Sequence, residues 1–64
     1  MKTQYFDAFK DALKEAERLK QINFYRFETH NYMVTKAENV YAVDRFTWPN
    51  RDAALKSNSL LIVI

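Results

Sequence analysis

The stretch YMVTKAENVYAVDR, residues 32–45, decides the fold that the sequence predicts. Aromatic and β-branched residues recur at steps of two on each side of the dipeptide Glu38-Asn39, as Tyr32 and Val34 do before it and Tyr41 and Val43 after it, and this recurrence is typical of a strand. The chain contains no glycine, so asparagine is the residue expected wherever the backbone turns left-handed. We therefore predict two antiparallel strands that are joined by a two-residue turn at Glu38-Asn39.

Outward from this hairpin, further breaks that contain asparagine divide the chain after residue 21. They lie at His30-Asn31, Pro49-Asn50 and Ser57-Asn58. Aromatic and β-branched residues between the breaks favour strands, whereas the composition of NRDAALKSN favours a short helix that Pro49 prevents from extending backwards. The predicted order is strand 22–29, strand 32–37, strand 40–48, helix 50–58 and strand 60–64.

An amphipathic helix is predicted over residues 4–21. Its apolar residues recur at steps of three and four, which places them on one face of a helix. On the other face acids precede bases by three residues, as Glu15 precedes Arg18, and such pairs support a solvated helix surface. Thr3 is the expected N-cap.

The run SLLIVI, residues 59–64, carries five consecutive aliphatic side chains. Because it lacks alternation, it is typical of a strand that is covered on both faces. Two arrangements fit: the strand inserts between other strands, or it adds to a sheet edge that a partner completes. The second arrangement makes a homodimer possible through Leu60, Leu61, Ile62, Val63 and Ile64.

Together these elements predict an α+β fold in a single domain, residues 1–64. A long N-terminal amphipathic helix packs on one face of a small antiparallel sheet, which consists of a three-strand meander plus a C-terminal strand, with a short helix before the last strand. The face expected beneath the long helix carries Tyr25, Phe27, Tyr32, Val34, Tyr41 and Val43. The opposite face carries Ile22, Phe24, Arg26, Glu28, Met33, Thr35, Ala42, Asp44, Phe46 and Trp48. Because one helix shields one side, we expect the opposite face to stay exposed as a contact surface.

Composition excludes several classes of function. The chain has no cysteine, so disulfides and cysteine-based zinc sites are excluded, and a reducing, cytoplasmic location is expected. Glycine-rich phosphate loops are impossible without glycine. The N-terminal segment lacks the apolar core of a signal peptide, and the final aliphatic run is shorter than the ~18–20 residues that a membrane helix needs. We expect no cofactor, no metal ion and no membrane contact.

Candidates for catalysis are few. His30 is the only histidine, and without a visible partner it is interpreted as a solvated turn residue. Glu28 and Asp44 fall on one predicted face and are candidates for a carboxylate pair. Arg26 and Arg45 lie close to them in the predicted register, so ordinary ion pairing is the preferred interpretation. The sequence therefore predicts a protein that is not an enzyme.

The preferred hypothesis is a non-catalytic protein-binding module that regulates or inhibits a larger protein machine by occupying its surface. The predicted contact residues are the anchors Phe24, Met33, Phe46 and Trp48, with Arg26 and Arg45 for orientation, because aromatic, Met and Arg side chains dominate interface energetics. Small accessory proteins of phages and other mobile elements, such as anti-defence proteins, are of this kind, which is an association rather than a derivation.

Two alternatives stay open. Aromatic residues beside Arg26, Lys36 and Arg45 resemble the stacking platforms that bind single-stranded nucleic acid. The net charge of +2 is spread evenly along the chain, however, and a basic stripe is the expected footprint of that class. The second alternative is a self-assembling structural protein in which the final strand pairs across a two-fold axis.

Overall fold

The computed structural model describes residues 2–64, which form two helices and one antiparallel sheet. In chain order the elements are β1 (Gln4–Phe6), α1 (Phe9–Tyr25), β2 (Tyr32–Ala37), β3 (Val40–Arg45), α2 (Trp48–Ser57) and β4 (Leu60–Val63). The strands lie in the order β1-β3-β2-β4, and each neighbouring pair is antiparallel. The predicted α+β fold class, with α1 packed on a small antiparallel sheet, is confirmed.

The β2–β3 hairpin forms as predicted and supplies the two central strands. Val34 and Val43 lie opposite each other, and both side chains are fully buried. The turn is at Glu38-Asn39, but its left-handed residue is Glu38, with φ 56°, rather than Asn39. Closure of a two-residue loop fixes the position that needs a positive φ, and a residue with a Cβ adopts it at a cost of about 1–2 kcal/mol.

Residues 4–6 form strand β1, so the predicted start of the first helix is wrong. This segment pairs with β3 along its whole length and thereby satisfies backbone groups on the outer side of β3. Aromatic residues favour extended backbone, which assists the pairing. Thr3 is not a helix cap, because its hydroxyl donates to Asp44 Oδ1 over 2.5 Å, and α1 begins only at Phe9.

Helix α1 continues beyond its predicted end, so the predicted strand over 22–29 is wrong. Asn23 lies on the buried side of α1 and donates from its side-chain amide to the Tyr32 hydroxyl. An unsatisfied buried polar group costs about 1–3 kcal/mol, so this pair favours helical backbone at residues whose composition predicts a strand. Tyr25 and Phe27, expected on a strand beneath the helix, lie at its end instead.

The core lies between α1 and the sheet. Its buried members are Ala12, Ala16, Tyr32, Val34 and Val43, and the partly buried residues Phe6, Phe9, Leu19, Tyr41, Ile62 and Ile64 pack around them. Alanines at the centre of α1 let its backbone approach the sheet closely, while larger side chains fill the periphery. The predicted placement of Tyr32, Val34, Tyr41 and Val43 beneath the helix is therefore correct.

Helix α2 covers part of the opposite face of the sheet. Met33 on that face is only 3% exposed, and Ala54 of α2 is 5% exposed. The helix and the sheet meet around a depression of about 320 Å³ that is lined by Thr35, Asp44 and Ala53, among others. The expectation that this face stays exposed because one helix shields one side is thus wrong in part, since a second helix shields the region around Met33.

Strand β4 lies at the edge of the sheet beside β2, so it does not insert between other strands. Its register with β2 skips Leu61, which forms a β-bulge. Leu61 and Val63 are 48% and 37% exposed, whereas Ile62 packs against the core. The alternation of exposure along β4 shows that only one of its faces is covered, so the expectation of a strand covered on both faces is wrong.

Each helix is followed by a left-handed residue. Asn58 has φ 56° after α2, in keeping with the expected role of asparagine in a chain without glycine. Phe27, with φ 58°, follows α1, where its N–H donates to Phe24 O at 3.1 Å and the Glu28 N–H donates to Asn23 O at 2.8 Å, the two bonds of a Schellman motif. Because the Phe27 side chain is 99% exposed, packing does not offset its backbone strain.

Replacing Phe27 with glycine should therefore stabilise the protein. We expect Phe27→Gly to raise the free energy of unfolding by about 1 kcal/mol, because glycine has no Cβ to clash in the left-handed conformation. Urea unfolding followed by circular dichroism measures the change. Phe24→Gly is the matched control: Phe24 is 74% exposed within α1, so glycine there should lower the same free energy by about 1 kcal/mol. A loss of stability in both variants would contradict the assigned strain.

The predicted pair of Glu15 with Arg18 on α1 is present, and it makes the stability of the protein depend on pH. Arg18 Nε and Nη2 donate to the two Glu15 carboxylate oxygens at 2.6 and 2.7 Å. This hydrogen bonding lowers the pKa of Glu15 from its ordinary value of 4.5. A lowered folded-state pKa contributes stability that is complete above the ordinary pKa and is lost as the pH falls through the lowered one.

Accordingly, the difference in unfolding free energy between the wild type and Arg18→Gln should be constant above the ordinary glutamate pKa of 4.5 and should shrink below it. Urea unfolding at a series of pH values measures this difference. Lys14→Gln, a change of charge elsewhere on the same helix, serves as the control. A difference that grows at acid pH would have the wrong sign for the assigned pair.

Candidate functional site

The six side chains predicted to contact a partner lie in three places rather than on one face. Phe24 and Arg26 lie at the end of α1, Met33 lies on β2 beneath α2, and Arg45, Phe46 and Trp48 lie where β3 passes into α2. The separation follows from the helical backbone at residues 22–25, which removes the expected outer strand. The last three predicted residues therefore share one short segment of the chain, but Arg45 pairs with Tyr32 and lies on the α1 face of the sheet.

One exposed apolar surface is the outer side of α2, here named the α2 surface and made of Trp48, Arg51 and Leu55. These residues are spaced by three and four positions, so they share one side of the helix. Trp48 is 70% exposed and Leu55 is 59% exposed. The Arg51 guanidinium carbon lies 5.0 Å from the centroid of the Trp48 ring, within the range of a cation–π contact. The α2 surface thus joins an aromatic ring, a cation and an aliphatic side chain.

The backbone that presents Trp48 is held on both sides. The Asn50 side-chain amide donates to the Arg45 carbonyl oxygen over 3.1 Å, which ties the first turn of α2 to the end of β3. The Phe46 N–H donates to the Asn31 carbonyl oxygen over 2.8 Å, which ties the same connection to the residue before β2. The sequence between β3 and α2 is therefore ordered before any partner binds.

A second exposed apolar surface, the α1 tip, consists of Phe24, Tyr25 and Phe27. Their exposed fractions are 74%, 70% and 99%, and the Phe24 and Tyr25 rings meet edge to face with centroids 5.9 Å apart. Beside the tip lies a groove of about 540 Å³, the α1–β4 groove, whose lining includes Gln21 and Ile64 as well as Phe24 and Tyr25. The groove joins the α1 tip to the end of β4.

The titratable residues considered for catalysis lie apart. His30 is in the loop between α1 and β2 rather than in a hairpin turn, and its Nε2 is 3.5 Å from Glu28 Oε2. Asp44 lies on the other side of the sheet, where it accepts the hydrogen bond from Thr3. Glu28 and Asp44 therefore form no carboxylate pair. Within residues 2–64, no three histidine, cysteine, aspartate or glutamate side chains gather as a metal site requires.

Arg51 and Leu55, the residues that share the α2 surface with Trp48, were not identified from the sequence. The signal was present, because Arg51 and Leu55 follow Trp48 at helical spacing, but the assignment of Trp48 to a strand hid it. Tyr25 and Phe27 were assigned to the core face by strand alternation, which their helical and left-handed backbones do not follow. A phenylalanine in the left-handed backbone conformation cannot be recognised from the sequence, because steric clashes disfavour that conformation for a bulky residue.

Comparison with protein-family models, with curated proteins and with solved structures finds no match to this chain. Neither helix within residues 2–64 has the length and hydropathy that a membrane-crossing segment needs. The α2 surface and the α1 tip are therefore the features that bear on function.

Met33 tests whether α2 covers the second face of the sheet. Because Met33 is 3% exposed, we expect Met33→Ala to lower the free energy of unfolding by about 2–4 kcal/mol through lost contacts and a cavity. Urea unfolding measures the change. Leu55→Ala, which truncates an exposed side chain on the same helix-sheet layer, should change the same free energy by less than about 1 kcal/mol. An unchanged stability for Met33→Ala would show that this face is not covered.

Proposed function

We propose that the protein is a small non-catalytic protein-binding module, which regulates or inhibits a larger protein by occupying part of its surface. The observation that carries the proposal is the α2 surface, where Trp48 stands 70% exposed with Arg51 stacked on its ring. Trp and Arg are the residue types that most often supply binding energy at protein interfaces. Single exposed apolar residues are common, whereas Trp48, Arg51 and Leu55 are grouped on one side of α2.

Order in the unbound protein supports this choice of surface. Bonds from Asn50 to Arg45 and from Phe46 to Asn31 hold the connection that precedes Trp48. Binding then immobilises few additional groups, and less of the contact energy is lost to entropy. A fixed aromatic anchor next to a cation is suited to a partner pocket that has an apolar floor and an acidic rim.

The proposed contact set therefore differs from the one that the sequence predicts. Trp48 remains the anchor, and Arg51 and Leu55 join it. Phe46 and Arg45 position the anchor from the β3 side. Met33 lies in the interior, and we leave it out of the set.

Binding of single-stranded nucleic acid has less support. The aromatic residues expected to form one stacking platform are divided between α1, which carries Phe24, and α2, which carries Trp48. Asp52 lies within the α2 sequence and pairs with Lys56 at 3.2 Å, which reduces the positive field that phosphates require. We therefore favour protein as the partner class.

Truncation of Trp48 tests the proposal. A protein captured from a lysate of the source cell by the wild type, and then purified, should bind Trp48→Ala at least ~2 kcal/mol more weakly, about thirtyfold in Kd, because the anchor is lost. Isothermal titration calorimetry measures the affinities. Circular dichroism should show that the variant remains folded, since the removed side chain is exposed.

Tyr5→Ala is the matched control, because Tyr5 is a 63% exposed aromatic residue on β1. This variant should bind the partner as the wild type does. Equal affinities for the wild type and Trp48→Ala would refute the assignment of the α2 surface. Retention of single-stranded DNA or RNA with an affinity that falls steeply with salt would instead indicate the nucleic-acid class.

A further inference from the structure

Among the residues that the structure describes, none pairs with the backbone hydrogen-bonding groups on the outer edge of β4. Ile64 exchanges both of its backbone bonds with Tyr32 of β2, at 2.9 and 3.0 Å. Successive residues of an antiparallel strand direct these groups to alternate sides, so the N–H and C=O of Val63 point away from β2. The Val63 side chain is 37% exposed, and that of Leu61 is 48% exposed. This edge is an uncharged apolar strand with free pairing groups, the arrangement that most readily accepts another strand.

The α1–β4 groove opens toward the same edge. Near its start, α1 contacts β3 through Phe9 and Tyr41, whose ring centroids are 5.9 Å apart. Near its end it bonds to β2 through Asn23 and Tyr32. Helix α1 therefore crosses the sheet obliquely, and its last turns lie on the β4 side, where the groove reaches Ile64. A strand added beside β4 would place its side chains against the walls of this groove.

We infer that a second copy of this chain occupies the edge, with the β4 strands of the two copies antiparallel about a two-fold axis. The two four-stranded sheets then form one continuous sheet, and each copy covers the α1–β4 groove of the other. This contact uses a surface other than the α2 surface, so the inference does not depend on the proposed function.

Charge favours a second copy as the occupant. The sequence from Ser59 to Ile64 has no charged residue, so two β4 strands meet without repulsion. The rim of the groove carries both signs, with Glu17 and Glu28 against Lys20 and, when protonated, His30. A rim of one sign would repel its own copy, whereas a mixed rim does not.

The exposed aromatic rings beside this edge supply part of the area that a dimer needs. Phe24 and Tyr25 are 74% and 70% exposed, and a buried aromatic side chain removes about 150–250 Å² from water, so the two rings offer on the order of 200–350 Å² per copy. Ile64 extends this surface on the α1 side of the sheet, whereas Val63, which pairs with Met33, adds exposed apolar area on the opposite side. A stable interface buries about 800 Å² on each partner, so the two rings account for less than half of it, and the strand edge and the rim of the groove would have to bury the rest.

The opposite edge of the sheet does not offer the same contact. Strand β1 has only three residues, and it lies between Lys2 and Asp7 in the sequence. Short length and flanking charges are the devices by which natural sheets prevent strands from adding to an edge. Strand β4 and the residues on either side of it, Ser59 and Ile64, carry no charged side chain, so self-association through β4 is the specific prediction.

Sedimentation velocity of the full chain over a range of concentrations tests the inference. We expect a dimer of twice the 7.7 kDa chain mass, and Val63→Lys should raise its dissociation constant by at least about tenfold, because a buried charge then faces its own copy. In hydrogen exchange, the Val63 amide should be unprotected at low concentration and protected at high concentration. Circular dichroism verifies that the variant is folded.

Tyr5→Lys is the matched control, since it places the same charge at an exposed position on the other edge strand, and it should leave the dissociation constant unchanged. A protein that stays monomeric at millimolar concentration would overturn the inference, and so would a dimer that Val63→Lys leaves intact. Protection of the Val63 amide only after a different protein is added would also overturn it, because the occupant would then be a foreign strand.

Discussion

Everything in this fold depends on the antiparallel pairing of β2 with β3. Val34 and Val43 meet at its centre, fully buried, and the alternation of side chains on either side of them creates two apolar faces. Helix α1 covers one face and α2 covers part of the other, while β1 and β4 complete the sheet at its two edges. Without this hairpin neither helix would have a surface on which to bury its apolar side.

The interior contains few large side chains, because a chain of 64 residues forms two helical layers around one sheet. Among the residues that the structure describes, half of the buried apolar ones are alanine: Ala12, Ala16, Ala42 and Ala54. Small side chains allow close approach but bury little area, and a domain of this size is only marginally stable for that reason. Large side chains that the interior does not hold, including Trp48 and Phe24, are placed on the outside. Two separate surfaces for association are the result.

Sequence patterns predicted those parts of the structure in which local preference and tertiary contact agree. The hairpin was predicted because aromatic and β-branched residues recur at steps of two on both sides of Glu38-Asn39, and α2 because Pro49 and a run of helix formers mark its start. Residues 22–25 were assigned wrongly, because their aromatic composition favours a strand while the buried bond from Asn23 to Tyr32 favours a helix. The α2 surface was missed for a related reason. Trp48 was assigned to the end of a strand, with side chains repeating every two residues, although it begins a helix, where they repeat every three to four. The bulge in β4 depends on how that strand pairs with β2, and the conformation of Phe27 depends on the hydrogen bonds that end α1. Neither can be predicted from a local sequence pattern.

The two proposals act together through symmetry. A two-fold axis perpendicular to a continuous sheet leaves both α1 helices on one side and both α2 helices on the other. Pairing through β4 would therefore present two Trp48 surfaces on the same face of the dimer. For a partner that repeats its own binding site at the matching distance, the second contact becomes intramolecular and strengthens binding by as much as ~10²–10⁴ without any new interaction. A weak surface on a small domain would in this way be sufficient to hold a larger, symmetric protein.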